Sequence, residues 1–183
     1  MKKVPEMTNE PIKEKGFHKL PEPVKGAVIT VSDRCFNGKR EDKSGPLAVS
    51  LLADFDVVCG DPVVIPDEVD QIQAAISKAV KDGARVVLTT GGTGVTPRDV
   101  TPEATAPLLA AELPGLAQQV VNYGLQKTPL AGLSRGLVGV TSKEADGAMV
   151  INAPGSSGGV RDTVTVLGPL VPHILEQLGG GDH

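Results

Sequence analysis

The segment Thr89-Thr90-Gly91-Gly92-Thr93-Gly94-Val95-Thr96-Pro97-Arg98-Asp99-Val100-Thr101-Pro102-Glu103-Ala104 sets backbone freedom, hydroxyls, a cation and a carboxylate side by side. It leaves an apolar run, Val86-Val87-Leu88, that reads as a strand. It finishes as a helix start, with Thr101 as N-cap, Pro102 at the first helical position and Glu103 in the first turn. Glycines let a ligand approach the main chain, and a fresh helix offers unpaired N–H groups. The combination suits a phosphate-bearing ligand. It is neither a Walker A loop, lacking Gly-Lys-Ser/Thr, nor a dinucleotide fingerprint, lacking its spaced glycines. The bland reading of Gly-Gly-Thr-Gly by itself is a turn that only joins strand to helix.

Other polar segments also follow apolar runs. Ser32-Asp33 follows residues 26–31, Pro66-Asp67-Glu68 follows Val63-Val64-Ile65, and Pro154-Gly155-Ser156 follows residues 149–151. Each has a simpler alternative role. Asp33 can cap a turn, and Asp67 can favour the dipole of the helix after it. Asp99 can pair with Arg98, and Pro154-Gly155 can be a plain turn. Arg34, Arg98 and Ser134-Arg135 read equally as surface or intersubunit residues, and Glu103 as a first-turn helix charge.

The elements that must position these residues alternate along the chain. Strands are predicted at 26–31, 85–90, 137–140 and 149–151, and Val57-Val58 with Val63-Val64-Ile65 suggest one further extended segment. Residues 46–54 carry Leu47, Leu51 and Leu52 at helical spacing. Val69, Ile72, Ile76 and Val80 fall three and four apart, marking a helix that Gly83 closes. Residues 102–111 and 114–125 form two further helix candidates, and 158–178 a long one open to interruption at Gly168-Pro169. This alternation predicts a three-layer α/β/α sandwich with a largely parallel sheet. Ligands of such sheets bind beyond the strand carboxyl ends, which places the polar segments on one rim. Residues 1–23 read as a flexible tail, 24–178 as one domain and 179–183 as a frayed end.

Bulk properties narrow the function. The chain has 183 residues, a net charge of −4, one Tyr, three Phe and no Trp. Without a basic block or stacking aromatics, nucleic acid is excluded as the main partner. No apolar run approaches the ~20 residues of a membrane helix, and no secretory segment is visible. Cys35 and Cys59 make neither a disulfide framework nor a metal cluster, so a cytoplasmic protein is expected. His18, His173 and His183 lie in the tail, on a late helix and at the terminus, away from every motif.

The sixteen-residue segment resembles the molybdopterin-binding domain family typified by MogA and MoaB. Ser32-Asp33-Arg34, Asp42-Lys43-Ser44-Gly45, Ile65-Pro66-Asp67-Glu68, Leu133-Ser134-Arg135 and Asn152-Ala153-Pro154-Gly155-Ser156 resemble further family motifs in the family's order, across residues 25–178. The departures are Ala153 for Leu and Ser157 for Pro in the last motif.

The resemblance implies a molybdopterin adenylyltransferase of molybdenum cofactor biosynthesis, taking molybdopterin and ATP with Mg²⁺. The obstacle to that chemistry is charge. Two unit charges ~4 Å apart repel by about 4 kcal/mol at an effective dielectric of ~20. Mg²⁺, cations and main-chain N–H groups must offset several such pairs. The resemblance assigns Asp67 and Asp99 as catalytic residues and metal ligands. It assigns Ser32, Asp33, Gly91, Gly92, Thr93, Gly94, Gly155 and Ser156 to substrate binding. It further implies a homotrimer and a molybdenum-inserting enzyme as downstream partner. The competing expectation is a non-catalytic molybdopterin carrier or interaction module of the same fold.

Overall fold

The computed structural model describes residues 19–180. The strands are β1 (Val24–Val31), β2 (Val57–Cys59), β3 (Val63–Ile65), β4 (Val86–Thr90), β5 (Ala111–Glu112), β6 (Val138–Val140) and β7 (Met149–Ala153). They form a seven-stranded sheet of order β2-β1-β4-β7-β6-β5, with β3 also on β1. The two valine-rich segments 57–59 and 63–65 pair in series along one edge of β1, Val57 opposite Val24 and Val63 opposite Ile29. β1, β4 and β7 run parallel, while β6 and β5 are antiparallel to their neighbours.

The helices are α1 (Asp33–Phe36), α2 (Ser44–Ala53), α3 (Val69–Lys81), α4 (Thr101–Thr105), α5 (Pro114–Leu125), α6 (Ser157–Leu167) and α7 (Val171–Leu178). Alternate strand residues feed two cores, as the pleat requires. Val28, Val86, Leu88, Met149 and Ile151 pack with Leu52 of α2, Val164 of α6 and Leu175 of α7. Ile29, Val31, Val87 and Val150 pack on the other face with Ile72 and Ile76 of α3 and Ala104 of α4. β4 and β7 are buried along their whole length, so their apolar runs serve both faces. The expected three-layer sandwich is therefore observed.

Some local expectations differ. The helix expected over 102–111 ends at Thr105. Pro107 lacks the N–H that an α-ladder needs, so the chain tightens into a 3₁₀ turn over Ala106–Leu108. Ala111 and Glu112 then pair with Val140 and Gly139 as an edge strand. Thr101 is not the N-cap. It is the first residue of α4, Pro102 is the second, and Val100 occupies the cap. Thr101 Oγ1 instead donates to the buried carbonyl of Gly91 at 2.9 Å. The last helix does break at Gly168-Pro169, through a 3₁₀ turn over Gly168–Leu170. Leu20 rests against the core beside Val24. Of the expected termini, residues 1–18 and 181–183, with His18 and His183, lie outside the described residues.

Candidate functional site

β1, β3, β4 and β7 end on the same rim, and the segments leaving them enclose a cleft of about 970 Å³. Such a volume suits an elongated small-molecule ligand. The residues assigned to catalysis, metal and substrate binding all line it: Ser32, Asp33, Asp67, Gly91, Gly92, Thr93, Gly94, Asp99, Gly155 and Ser156.

The glycine loop forms the floor. Gly91 has φ of 106°, and a Cβ there would strike the Val31 carbonyl. Gly92 has φ of 65°, and its Cβ would meet the Thr101 hydroxyl and stand 3.2 Å from Asp67 Oδ1. Only glycine lets this bend press against β1 and the Asp67 loop together. The bend is tied to the β7 rim, with Gly91 N donating to the Ala153 carbonyl at 3.0 Å and Thr90 Oγ1 to that of Pro154 at 3.0 Å. Among the described residues, the N–H groups of Gly92 and Thr93 make no hydrogen bond. Those adjacent donors are suited to an anion.

Asp67 is held from the end of the neighbouring strand β1. Asp33 N donates to Asp67 Oδ2 at 2.7 Å, and Asp67 N donates to Asp33 Oδ1 at 3.0 Å. Arg98 grips the same Asp33 carboxylate with Nε at 3.0 Å and Nη2 at 3.1 Å, and Nη2 also donates to Glu68 at 2.9 Å. The Arg98 guanidinium holds Asp33 below the usual carboxylate range. Burial pushes Asp67 up, and the charges of Asp33 and Asp99 add to that rise. Arg98 thus pairs with Asp33 and Glu68, rather than with the adjacent Asp99.

Asp99 is held within its own turn. Thr96 N donates to Asp99 Oδ2 at 2.8 Å, and Asp99 N donates back to the Thr96 carbonyl at 3.0 Å. Burial raises this carboxyl, but hydrogen bonds from Thr96 and from the Gly94 N–H outweigh it and hold the group below its ordinary value. Arg135, from the segment before β6, reaches the Asp99 carbonyl at 2.8 Å and forms an ion pair with Glu103.

Two of the singled-out hydroxyls cap helices. Ser32 accepts from Cys35 N at 3.3 Å at the start of α1, and Ser156 from Gly159 N at 3.0 Å at the start of α6. Ser157, where the family pattern has proline, is the first residue of α6. That position tolerates either residue because its N–H has no intrahelical partner.

Several further residues complete the site, and its cations carried little signal in the sequence. Asp42 accepts from Thr30 Oγ1 at 2.7 Å and from Gly45 N at 2.9 Å, closing one end of the cleft. Arg34, Arg40, Lys43 and Arg161 also line it, and they make no ion pair among the described residues. Single cations have no period to betray them. Only Arg34 and Lys43, inside quoted motifs, could have been picked out. Val120, Leu130 and Leu133 supply an apolar wall. Cys35 lines the cleft, whereas Cys59 ends β2, where burial pushes its thiol to about 11. His173 lies on α7 beside Gln177.

A metal could be held only sparsely here. No group of three or more His, Cys, Asp or Glu able to hold an ion occurs among the described residues. Asp67 feels the charge of Asp99. One or two carboxylates, with water and phosphate oxygens for the remaining positions, is the donor set Mg²⁺ accepts.

The family model described as "Probable molybdopterin binding domain" matches residues 27–173. A molybdenum cofactor biosynthesis bifunctional protein of Synechococcus elongatus is 42% identical over 156 residues, covering 85% of this chain and 48% of the relative. The chain thus spans about half the length of that relative, and 25% of two longer ones. A molybdopterin adenylyltransferase of Pyrococcus furiosus is 35% identical over 165 residues, covering 85% of this chain and 92% of the relative. The crystal structure of the molybdopterin biosynthesis enzyme MoaB of Thermus thermophilus superposes with a TM-score of 0.77 at 38% identity, over 86% of this chain and 97% of that one.

Proposed function

The chain belongs to the molybdopterin-binding domain family, and on that premise we propose that it is a molybdopterin adenylyltransferase of molybdenum cofactor biosynthesis. The terminal phosphate oxygen of molybdopterin attacks the α-phosphorus of ATP. A new P–O bond forms, the bond to the β-phosphate oxygen breaks, and pyrophosphate leaves with the electron pair. The attacking phosphate is already anionic, so no strong general base is required. Among the described residues no histidine lines the cleft, which is compatible with the reaction.

The observation that carries this reading is the convergence of Asp67, Asp99 and the glycine bend on one cleft. The chain's own task is to gather anions and keep them in line. Gly92 and Thr93 offer free N–H groups to one phosphate. Arg34, Arg40 and Arg161 offer unpaired positive charge to others, and Gly155 and Ser156 form the facing wall. Ser32 and Asp33 sit beside Asp67, with Asp33 already engaged by Arg98. Asp67 and Asp99 would hold Mg²⁺, which when bound supplies positive charge to the crowded phosphate oxygens.

The working form we propose is a cytoplasmic homotrimer that passes its product to a molybdenum-inserting enzyme. Among the described residues, no helix is long and apolar enough to cross a membrane. The test is incubation with molybdopterin, Mg²⁺ and ATP labelled in the α-phosphate. Label on molybdopterin, with one pyrophosphate per AMP transferred, is expected. Tight molybdopterin binding with no transfer would identify a carrier instead.

A further inference from the structure

We infer that Arg135 is a positioning residue for Asp99, oriented by Glu103, and that it does not contact substrate. The inference deepens the adenylyl-transfer reading and rests on it. Arg135 does not line the cleft, although its neighbours Leu133 and Ser134 do. Its donors are spent on the turn that carries Asp99. The main-chain N–H donates to the Thr93 carbonyl at 2.9 Å. Nε donates to the Gly94 carbonyl at 2.7 Å and Nη2 to the Asp99 carbonyl at 2.8 Å. Nη1 donates to Glu103 in the first turns of α4. One guanidinium therefore spans both ends of the 94–99 turn, and its charge is answered from the protein side.

Apart from Arg135, the turn is tied from outside through the Arg98 side chain, which reaches Asp33 and Glu68. Within it, Asp99 bonds Thr96, and a Cβ on Gly94 would stand 2.9 Å from Asp99 Oδ2. The planar fork of arginine can bridge two carbonyls and a carboxylate together. A lysine ammonium cannot reproduce that spread. Glu103 fixes the plane of the fork, which explains why an acid in the first turn of α4 faces Arg135 rather than the cleft.

The experiment combines kinetics with amide exchange on the full chain. Arg135→Ala should lower kcat by about 100-fold, the cost of a displacement of about 1 Å at a reacting group. The KM values for ATP and molybdopterin should stay within about threefold, because no substrate contact is lost. Guanidinium ion at sub-denaturing concentration should restore part of the rate, and Arg135→Lys should remain impaired. Glu103→Gln keeps the size of the side chain and covers the case in which Arg135→Ala fails to fold. It should give a smaller loss in kcat, again with KM held.

Exchange should lose protection at the Thr96 and Asp99 amides in both variants. A rise in either KM with kcat unchanged would overturn the inference, because Arg135 would then be a substrate ligand. Unaltered exchange at Thr96 and Asp99 would also overturn it. Lack of AMP transfer by the unmodified chain would sink the adenylyl-transfer reading alone, and exchange would still decide whether Arg135 holds the turn.

Discussion

Asp67 takes its hydrogen bond from Asp33 at the end of the neighbouring strand, a residue that Arg98 grips in turn, whereas Asp99 is fastened by Thr96 inside its own turn. The difference is also electrostatic. Asp67 is pushed up by burial and by two acidic neighbours, while Asp99 is held down by N–H donors. One carboxylate costs the fold stability when ionised, and the other contributes it. A site that must gather negative substrates can use both kinds. The carboxylate raised by burial would gain the most from a cation, and the hydrogen-bonded one would fix where that cation sits.

The largest way to break the comparison is to remove the cation. Chelation with EDTA should abolish AMP transfer, and Mg²⁺ should restore it. Mg²⁺ without substrate should also raise Tm in the unmodified chain, but less in Asp67→Asn, because relief of the buried charge is the source of the gain.

The next effect falls on the Asp67 side alone. Arg98→Ala should lower kcat by about 10–100-fold, as expected for loss of orientation at a reacting group. The 94–99 turn should keep its amide protection in that variant, whereas Arg135→Ala loosens it. Equal loosening in the two would erase the distinction between anchoring by a neighbouring strand end and local anchoring.

A smaller effect tests the opposite signs of the two carboxylates. In metal-free protein at pH 7, Asp67→Asn should raise Tm and Asp99→Asn should lower it, with about 2–4 °C for each kcal/mol in a domain of this size. The sign follows from linkage. The raised carboxyl of Asp67 favours the fold while protonated and loses that contribution as pH rises through its folded pKa. The lowered carboxyl of Asp99 contributes above its unfolded pKa and loses that as pH falls through its folded one. Thermal melts across pH 3–8 should therefore show the two variants diverging towards neutral pH. Smallest of all, Glu68→Gln removes one exposed contact of Arg98 and should change kcat by no more than about twofold, in keeping with the small worth of surface ion pairs.

Much of the frame was legible because it rests on local rules. The period of Val69, Ile72, Ile76 and Val80 marked α3, and the Val86-Val87-Leu88 run marked a strand buried on both faces. The rim followed from strand ends and needed no side-chain detail. What stayed hidden depends on distant partners. Nothing near Thr101 says that its hydroxyl must serve the Gly91 carbonyl. Nothing near Arg98 says that it reaches back to Asp33 instead of its neighbour Asp99. The edge strand at Ala111–Glu112 is too short to show a period, and it exists because β6 offers it a partner. Arg135 looked like a surface residue because its role is set by carbonyls some forty positions upstream.

The proposed transfer requires Asp67 and Asp99 to serve one reaction in one cleft. The direct measurement is kcat for AMP transfer in Asp67→Ala, Asp99→Ala and the double variant. Each single change should cost about 10³-fold, and the double variant should be no worse than the poorer single one, as for groups that act as a unit. Undiminished transfer in either single variant, or losses that multiply in the double, would contradict it.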